Sequence, residues 1–319
     1  MKTSAASAAA REARPSGAVL GAGVACALLF CLAARVPPLG LLAAVSPLPL
    51  TLTRLRAGTG GALASALLGA TLLGTVLSPG HAITFLVVLA MPILVLAETV
   101  ARGRGLRKGC LFAFAVLAAE AAAALLFAGP ELGALLLEPL EYLRSPQFLA
   151  DMRASGLPAE RVTDWDEQFA TLHRAVEIVY PAAYFIMAAL VVLANTALLR
   201  FYLAWRDPGW LEDGEFERVR WPLAFAVLFV LAGAMIALPP VRAVGYNVLL
   251  VLAFFFALQG LAVVAYYAHR LAGPPLLRTA ILLLVLVNPW APEILALIGL
   301  FDTWFDFRRW AEVPPEAHA

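Results

Sequence analysis

Charge is what this chain has least of. Lys, Arg, Asp and Glu make up 14% of its 319 residues, 23 basic against 22 acidic, for a net of +1. That balance leaves no basic patch for a nucleic-acid backbone, so no nucleic-acid partner is expected. Cysteine is scarce too. Cys26 and Cys31 fall in the first apolar run and Cys110 opens the fifth. An odd count without metal-ligand spacing argues against a disulfide framework or a zinc site, and each reads as a small buried hydrophobe. The four histidines, His81, His173, His269 and His318, are scattered. There is no His-Glu-x-x-His, no Gly-x-Ser-x-Gly and no Gly-x-x-x-x-Gly-Lys. The expectation is a protein that is not an enzyme and that holds no metal or cofactor. Any transport would be secondary or driven by a separate subunit.

What the chain has in excess is apolar length. It is 62% hydrophobic with a mean hydropathy of +0.85, against about 45–50% apolar for a soluble domain. The excess falls in runs long enough to span a hydrocarbon core of about 30 Å, and the runs do not alternate as barrel strands do. The fold class is therefore all-α, a polytopic transmembrane bundle of eight or nine spans. Candidate spans are 17–34, 37–53, 59–77, 82–101, 110–129, 176–200, 222–240, 244–268 and 276–299. Residues 17–310 read as one membrane domain between an Ala/Ser-rich arm, 1–16, and a tail, 311–319. The charged head before the first run also fits a signal peptide, but a second run starts near Val36 and favours an uncleaved first helix.

Positive charge sets the orientation. Arg102, Arg104, Arg107 and Lys108 crowd one connection, Arg54 and Arg56 a second, and His269, Arg270 and Arg278 a third. By span counting these share a side with the N-terminus, which the positive-inside rule places in the cytoplasm. The expected home is the inner (plasma) membrane. The stretch 130–175 then lies outside. Residues 130–172 carry eight acids and three arginines, and Leu132, Leu135, Leu136, Leu140 and Leu143 share a face as an interfacial helix would, kinked at Pro139. At the far end, Asn288-Pro289-Trp290-Ala291-Pro292 interrupts the last run, so 276–305 reads equally as a crossing or as a hairpin.

Against this background polar residues inside spans stand out. Glu120 sits near the middle of 110–129, where insertion scales put an acid at roughly +2.5 to +3.5 kcal/mol. Such a group faces a wet cavity, a ligand or a hydrogen-bonding neighbour. Asn195 and Gln259 are its plausible companions in a ligand site, with interhelical hydrogen bonding as the plainer reading of each. Asn247, nearer a span end, is a weaker case. Glu98 should pair with Arg102 at i+4. Small residues at four-residue spacing, Gly17, Gly21 and Ala25 beside Ala18, Ala22 and Cys26, and again Gly61, Ser65 and Gly69, allow close helix approach. Ala18, Gly21 and Ala22 are candidate contacts to a partner helix. Asp302 and Asp306, four apart in an aromatic setting, should share a face and touch a partner or basic groups.

The C-terminal run Gly299-Leu300-Phe301-Asp302-Thr303-Trp304-Phe305-Asp306-Phe307-Arg308, together with Asn195 in its Leu-Ala-Asn-Thr-Ala-Leu-Leu-Arg setting and Gln259-Gly260, resembles the YybS-like family of bacterial membrane proteins of unknown function. Ala18-xxx-Ala22 and Pro47-Leu48-Pro49 make the N-terminal half similar to the S components of energy-coupling-factor transporters. That second resemblance implies solute binding and docking of a membrane subunit through the first helix. Two functions stay open: a solute-binding, transporter-like protein with the bilayer, a small molecule and a coupling subunit as partners, or a non-transporting scaffold for another envelope protein.

Overall fold

The computed structural model describes residues 15–156, 158–206, 208–210, 216–270 and 288–310. Among these residues every regular element is helical. Six helices are long and apolar enough to cross a membrane: Gly17–Arg35, Leu42–Val76, Pro79–Ala101, Gly105–Ala154, Glu160–Arg206 and Pro239–Arg270, with a shorter apolar helix at Leu223–Ile236. This is a multi-pass membrane protein. The arm 1–14, the tail 311–319 and the first half of the Pro-interrupted C-terminal run lie outside the described residues.

The contacts group into two compact units, one from residues before Ala123 with a stretch beginning at Met187, the other from Ala124–Ile186 and the residues after 214. The first contains α1 (Pro15–Arg35), α2 (Leu48–Val76), α3 (Pro79–Ala101) and the start of α4 (Gly105–Leu143). Its core is built on smallness. A Cβ on Gly23 would come within 2.9 Å of the Ser65 carbonyl, and one on Gly69 within 3.2 Å of the Gly23 carbonyl. Ser65 Oγ lies 2.9 Å from the Val19 carbonyl. The helix face formed by Gly61, Ser65 and Gly69 is thus spent on α1, with Cys26, Phe30, Leu50, Leu73 and Phe85 filling the space around it. Phe30 meets Phe85 edge-on at 6.2 Å.

The expected spans 37–53 and 59–77 meet at a break, two helical pieces joined at Gly58. After short turns at Pro37–Leu39 and Leu42–Val45 the chain enters α2 and runs on to Val76, broken only at Gly58 (φ 78°, ψ −179°). That conformation is essentially open to glycine alone. Within α3, residues Phe85–Ala90 widen into a π-helical turn, with Met91 N–H bonded to the Leu86 carbonyl. Pro92 explains it. Proline has no N–H to return to the carbonyl four residues back, so the ladder shifts by one.

The second unit takes the end of α4, α5 (Pro146–Ala154), α6 (Ala159–Arg206) up to Ile186, α7 (Leu223–Ile236), α8 (Arg242–Arg270), α9 (Ala291–Phe305) and α10 (Phe307–Trp310). The acidic stretch 130–175 is mostly helix: α4 runs on to Leu143, and α6 begins at Ala159. Arg144 pairs with Asp166 at 3.2 Å, tying these ends. The non-helical residue inside α4 is Ala128, two before Pro130, rather than a kink at Pro139.

α6 contains Pro181, which should weaken its ladder. Asn247 of α8 repairs it. Its Oδ1 accepts from Ala182 N–H at 2.8 Å and its Nδ2 donates to the Ile178 carbonyl at 2.8 Å. These are the two groups an unbroken helix would pair with each other. Further along α8, backbone meets backbone: a Cβ on Gly260 would overlap the Leu295 carbonyl of α9, and one on Gly299 the Phe256 carbonyl. Trp221, stacked on Phe225 at 5.6 Å and edge-on to Phe255 at 4.9 Å, closes the aromatic side of this core.

Candidate functional site

Glu120 belongs to the first unit, in a run of alanines on α4. Both of its carboxylate oxygens are shielded, and neither has a hydrogen-bond partner among the described residues. Within a membrane span a buried polar group of this kind costs several kcal/mol unless something satisfies it. A small molecule, an ion, a proton or a water could supply what the chain does not.

Asn195, also in the first unit, is completely buried. Its Nδ2 donates to the Ala44 carbonyl at 2.7 Å and to the Val191 carbonyl at 2.8 Å. It therefore holds the short Leu42–Val45 turn, whose backbone has left the regular ladder. Its Oδ1 is buried without a partner among the described residues.

Gln259 belongs to the second unit, and its bonds are made there. Its Oε1 accepts from Trp221 N–H at 2.8 Å, and its Nε2 donates to Asp302 Oδ2 at 2.8 Å and reaches Thr303 Oγ1 at 3.4 Å. Asp302, fully buried, also accepts from Arg308 Nη2 at 2.5 Å and from Phe307 N–H at 3.1 Å. Arg308 Nη1 reaches the carbonyls of Glu217 and Val219 at 2.6 and 3.0 Å. The result is a closed polar knot that joins α8, α9, α10 and the segment before α7.

The two aspartates do not share a continuous helical face. α9 stops at Phe305, and Asp306 adopts a left-handed conformation (φ 47°, ψ 61°). Aspartate tolerates it better than most residues. The reversal brings Phe307 N–H and Arg308 back onto the Asp302 carboxylate, while Asp306 faces the surface and accepts from Arg220 Nη1 at 2.9 Å.

On α1, Ala22 is buried, whereas Ala18 and Gly21 are uncovered. A Cβ on Gly17 or Gly21 would meet nothing within 4 Å. The side of α1 used inside the unit is that of Val19, Gly23 and Cys26, and no described residue covers the Gly17–Gly21 side.

A last cluster lies at the end of α3. Glu98 accepts from Arg54 Nε at 2.5 Å, Arg102 Nε at 2.7 Å and Thr59 Oγ1 at 3.1 Å. The Arg102 pair is the one expected from i+4 spacing. Arg54 and Thr59 are additions that the sequence alone did not place. They reach one carboxylate because Gly58 breaks α2 between them. Nearby, Arg56 bonds the Tyr202 hydroxyl and lies over its ring. An open cleft of about 630 Å³ runs from this cluster along Ala62, Leu63, Leu86, Val87 and Met91.

A family model described as predicted membrane protein, DUF2232, matches residues 24–303. The chain belongs to that family of membrane proteins, whose function is unknown. No curated protein and no solved structure matches it at a significant level.

Proposed function

We propose that this protein is a solute-binding, transporter-like membrane protein, with Glu120 as the group that meets the solute or the coupling ion. The observation carrying this reading is the shielded, unpartnered carboxylate within an apolar span. A group so costly to place is retained where something completes it. Asn195, with a buried Oδ1 that also lacks a donor, supports a second polar point in the same unit. The likeness of the N-terminal half to energy-coupling-factor S components belongs to the same proposal, as does the absence of catalysis. In this reading the protein spans the inner membrane eight or nine times with its N-terminus in the cytoplasm. The count is nine if the C-terminal run 276–305 crosses and eight if it turns back as a hairpin, with 37–53 and 59–77 crossing separately in either case.

The test is native mass spectrometry of the purified chain in mild detergent, on wild type and Glu120→Gln. A retained metabolite in the wild type that is lost in the variant, at unchanged melting temperature, is expected. A variant that keeps the same metabolite overturns the assignment of Glu120.

The open Gly17–Gly21 side of α1 favours a second reading, a scaffold that docks another membrane subunit. Under it, Gly21→Leu removes a stoichiometric copurifying membrane protein and leaves the fold intact, since a Cβ there meets no described residue within 4 Å. A complex that survives Gly21→Leu counts against docking through this face.

A further inference from the structure

The cleft at the end of α3 has two chemically different ends. Along its length it is apolar, and Leu63, Val87 and Met91 are 49%, 42% and 49% exposed, so no other part of the described chain covers them. At its head stand Arg54, Arg102 and Glu98, a net of one positive charge. Each arginine reaches Glu98 through Nε only, and neither guanidinium has another hydrogen-bond partner among the described residues. The Nη groups of both remain as donors, in the fork arrangement that suits a phosphate.

Position adds to chemistry. Glu98 stands in the last turn of the apolar helix Pro79–Ala101 and Arg102 just past its end, the place where a spanning helix meets the headgroups. Arg104, Arg107 and Lys108 follow directly in the chain. Basic residues beside a membrane surface attract anionic lipid by about 1 kcal/mol each. The π-helical turn at Phe85–Ala90 presents Leu86 and Val87 to the cleft, and such turns often mark binding sites.

We infer that this cleft binds an anionic phospholipid, its phosphodiester on the Nη groups of Arg54 and Arg102 and an acyl chain along Leu63, Val87 and Met91. A single negative phosphodiester brings the charge of the head to zero. A zwitterionic lipid leaves it uncompensated. A free phosphate would use the head and leave the apolar wall idle. The site is separate from Glu120 and does not rest on the solute-binding reading.

The test uses the full chain, delipidated in detergent, titrated with phosphatidylglycerol or with phosphatidylethanolamine of the same chains and followed by native mass spectrometry. Phosphatidylglycerol is expected to bind about tenfold more tightly. Arg102→Gln should erase that preference, and Arg102→Lys should restore part of it. Val87→Trp, which fills the apolar wall, should weaken both lipids while elution volume and melting temperature stay as in wild type. Equal binding of the two lipids by wild type overturns the proposal. So does an Arg102→Gln variant that keeps the preference, or a Val87→Trp variant that binds as wild type does. Displacement of phosphatidylglycerol by millimolar inorganic phosphate also overturns it, by showing a site for a soluble anion.

Discussion

Replacing Asp302 by alanine should be the most damaging single change in the second unit. Its carboxylate is fully buried and takes three donors: Arg308 Nη2 at 2.5 Å, Gln259 Nε2 at 2.8 Å and Phe307 N–H at 3.1 Å. Truncation leaves the largely buried Arg308 guanidinium without a counter-charge. Breaking one side of a buried pair costs about 3–5 kcal/mol. The Phe307 N–H is orphaned as well, at about 1–3 kcal/mol, but these losses overlap and do not sum. A destabilisation of about 4 kcal/mol is therefore expected. Asp302→Asn, which keeps the shape and one acceptor oxygen, should fall between wild type and alanine. The informative partner is the double change Asp302→Leu with Arg308→Met. A buried ion pair exchanged for apolar side chains is often neutral, so the double variant should recover most of the loss. Reversible unfolding in mixed micelles of increasing SDS content reads all four proteins. An Asp302→Ala variant within about 1 kcal/mol of wild type refutes the account of the knot. So does a double variant no better than the single one, because then the stranded cation was not the cause.

Gly58→Ala should destabilise the first unit by about 1–3 kcal/mol through strain at its positive φ, although a Cβ there meets nothing. Gly60→Ala is the control: its Cβ is equally free and its backbone is not in the positive-φ set. Equal melting-temperature changes in the two variants would exclude backbone strain as the reason for the break in α2. The same loss of geometry should pull Arg54 and Thr59 apart at Glu98, so Gly58→Ala is also expected to weaken phosphatidylglycerol binding in the titration described for the cleft, and Gly60→Ala to leave it unchanged.

Much of the helix order was legible because hydrocarbon thickness dictates the length of an apolar run. What was not legible has identifiable causes. Gly58 is one of several glycines around α2, and only the folded chain reveals which of them carries a positive φ. The spacing of Asp302 and Asp306 suggested one face because helical periodicity was assumed across Asp306, where the backbone in fact reverses. Gln259 and Asp302 were both conspicuous as polar residues in apolar surroundings. Their link through Trp221 and Arg308 depends on segments tens of residues apart. Asn247 drew less attention than it warranted. The signal was Pro181, which opens the ladder beside it and leaves Ala182 N–H and the Ile178 carbonyl to a side-chain amide. Glu120 was conspicuous for the simplest reason, its charge in an apolar span, and no described residue partners it.

The crossing of α8 and α9 has a mechanical corollary. At Gly260 and Gly299 the two helices touch through main chain alone. Elsewhere in a bundle, helices slide by exchanging side-chain rotamers in the layer between them, and at these two glycines that layer is missing. Neither helix can turn about its own axis without driving a carbonyl into the other. Motion of α9 should therefore pass to α8 with little loss, the pair moving as one strut. With Asn247 gripping the ladder of α6 beside Pro181 from the same helix, a displacement begun at Asp302 would arrive at Pro181.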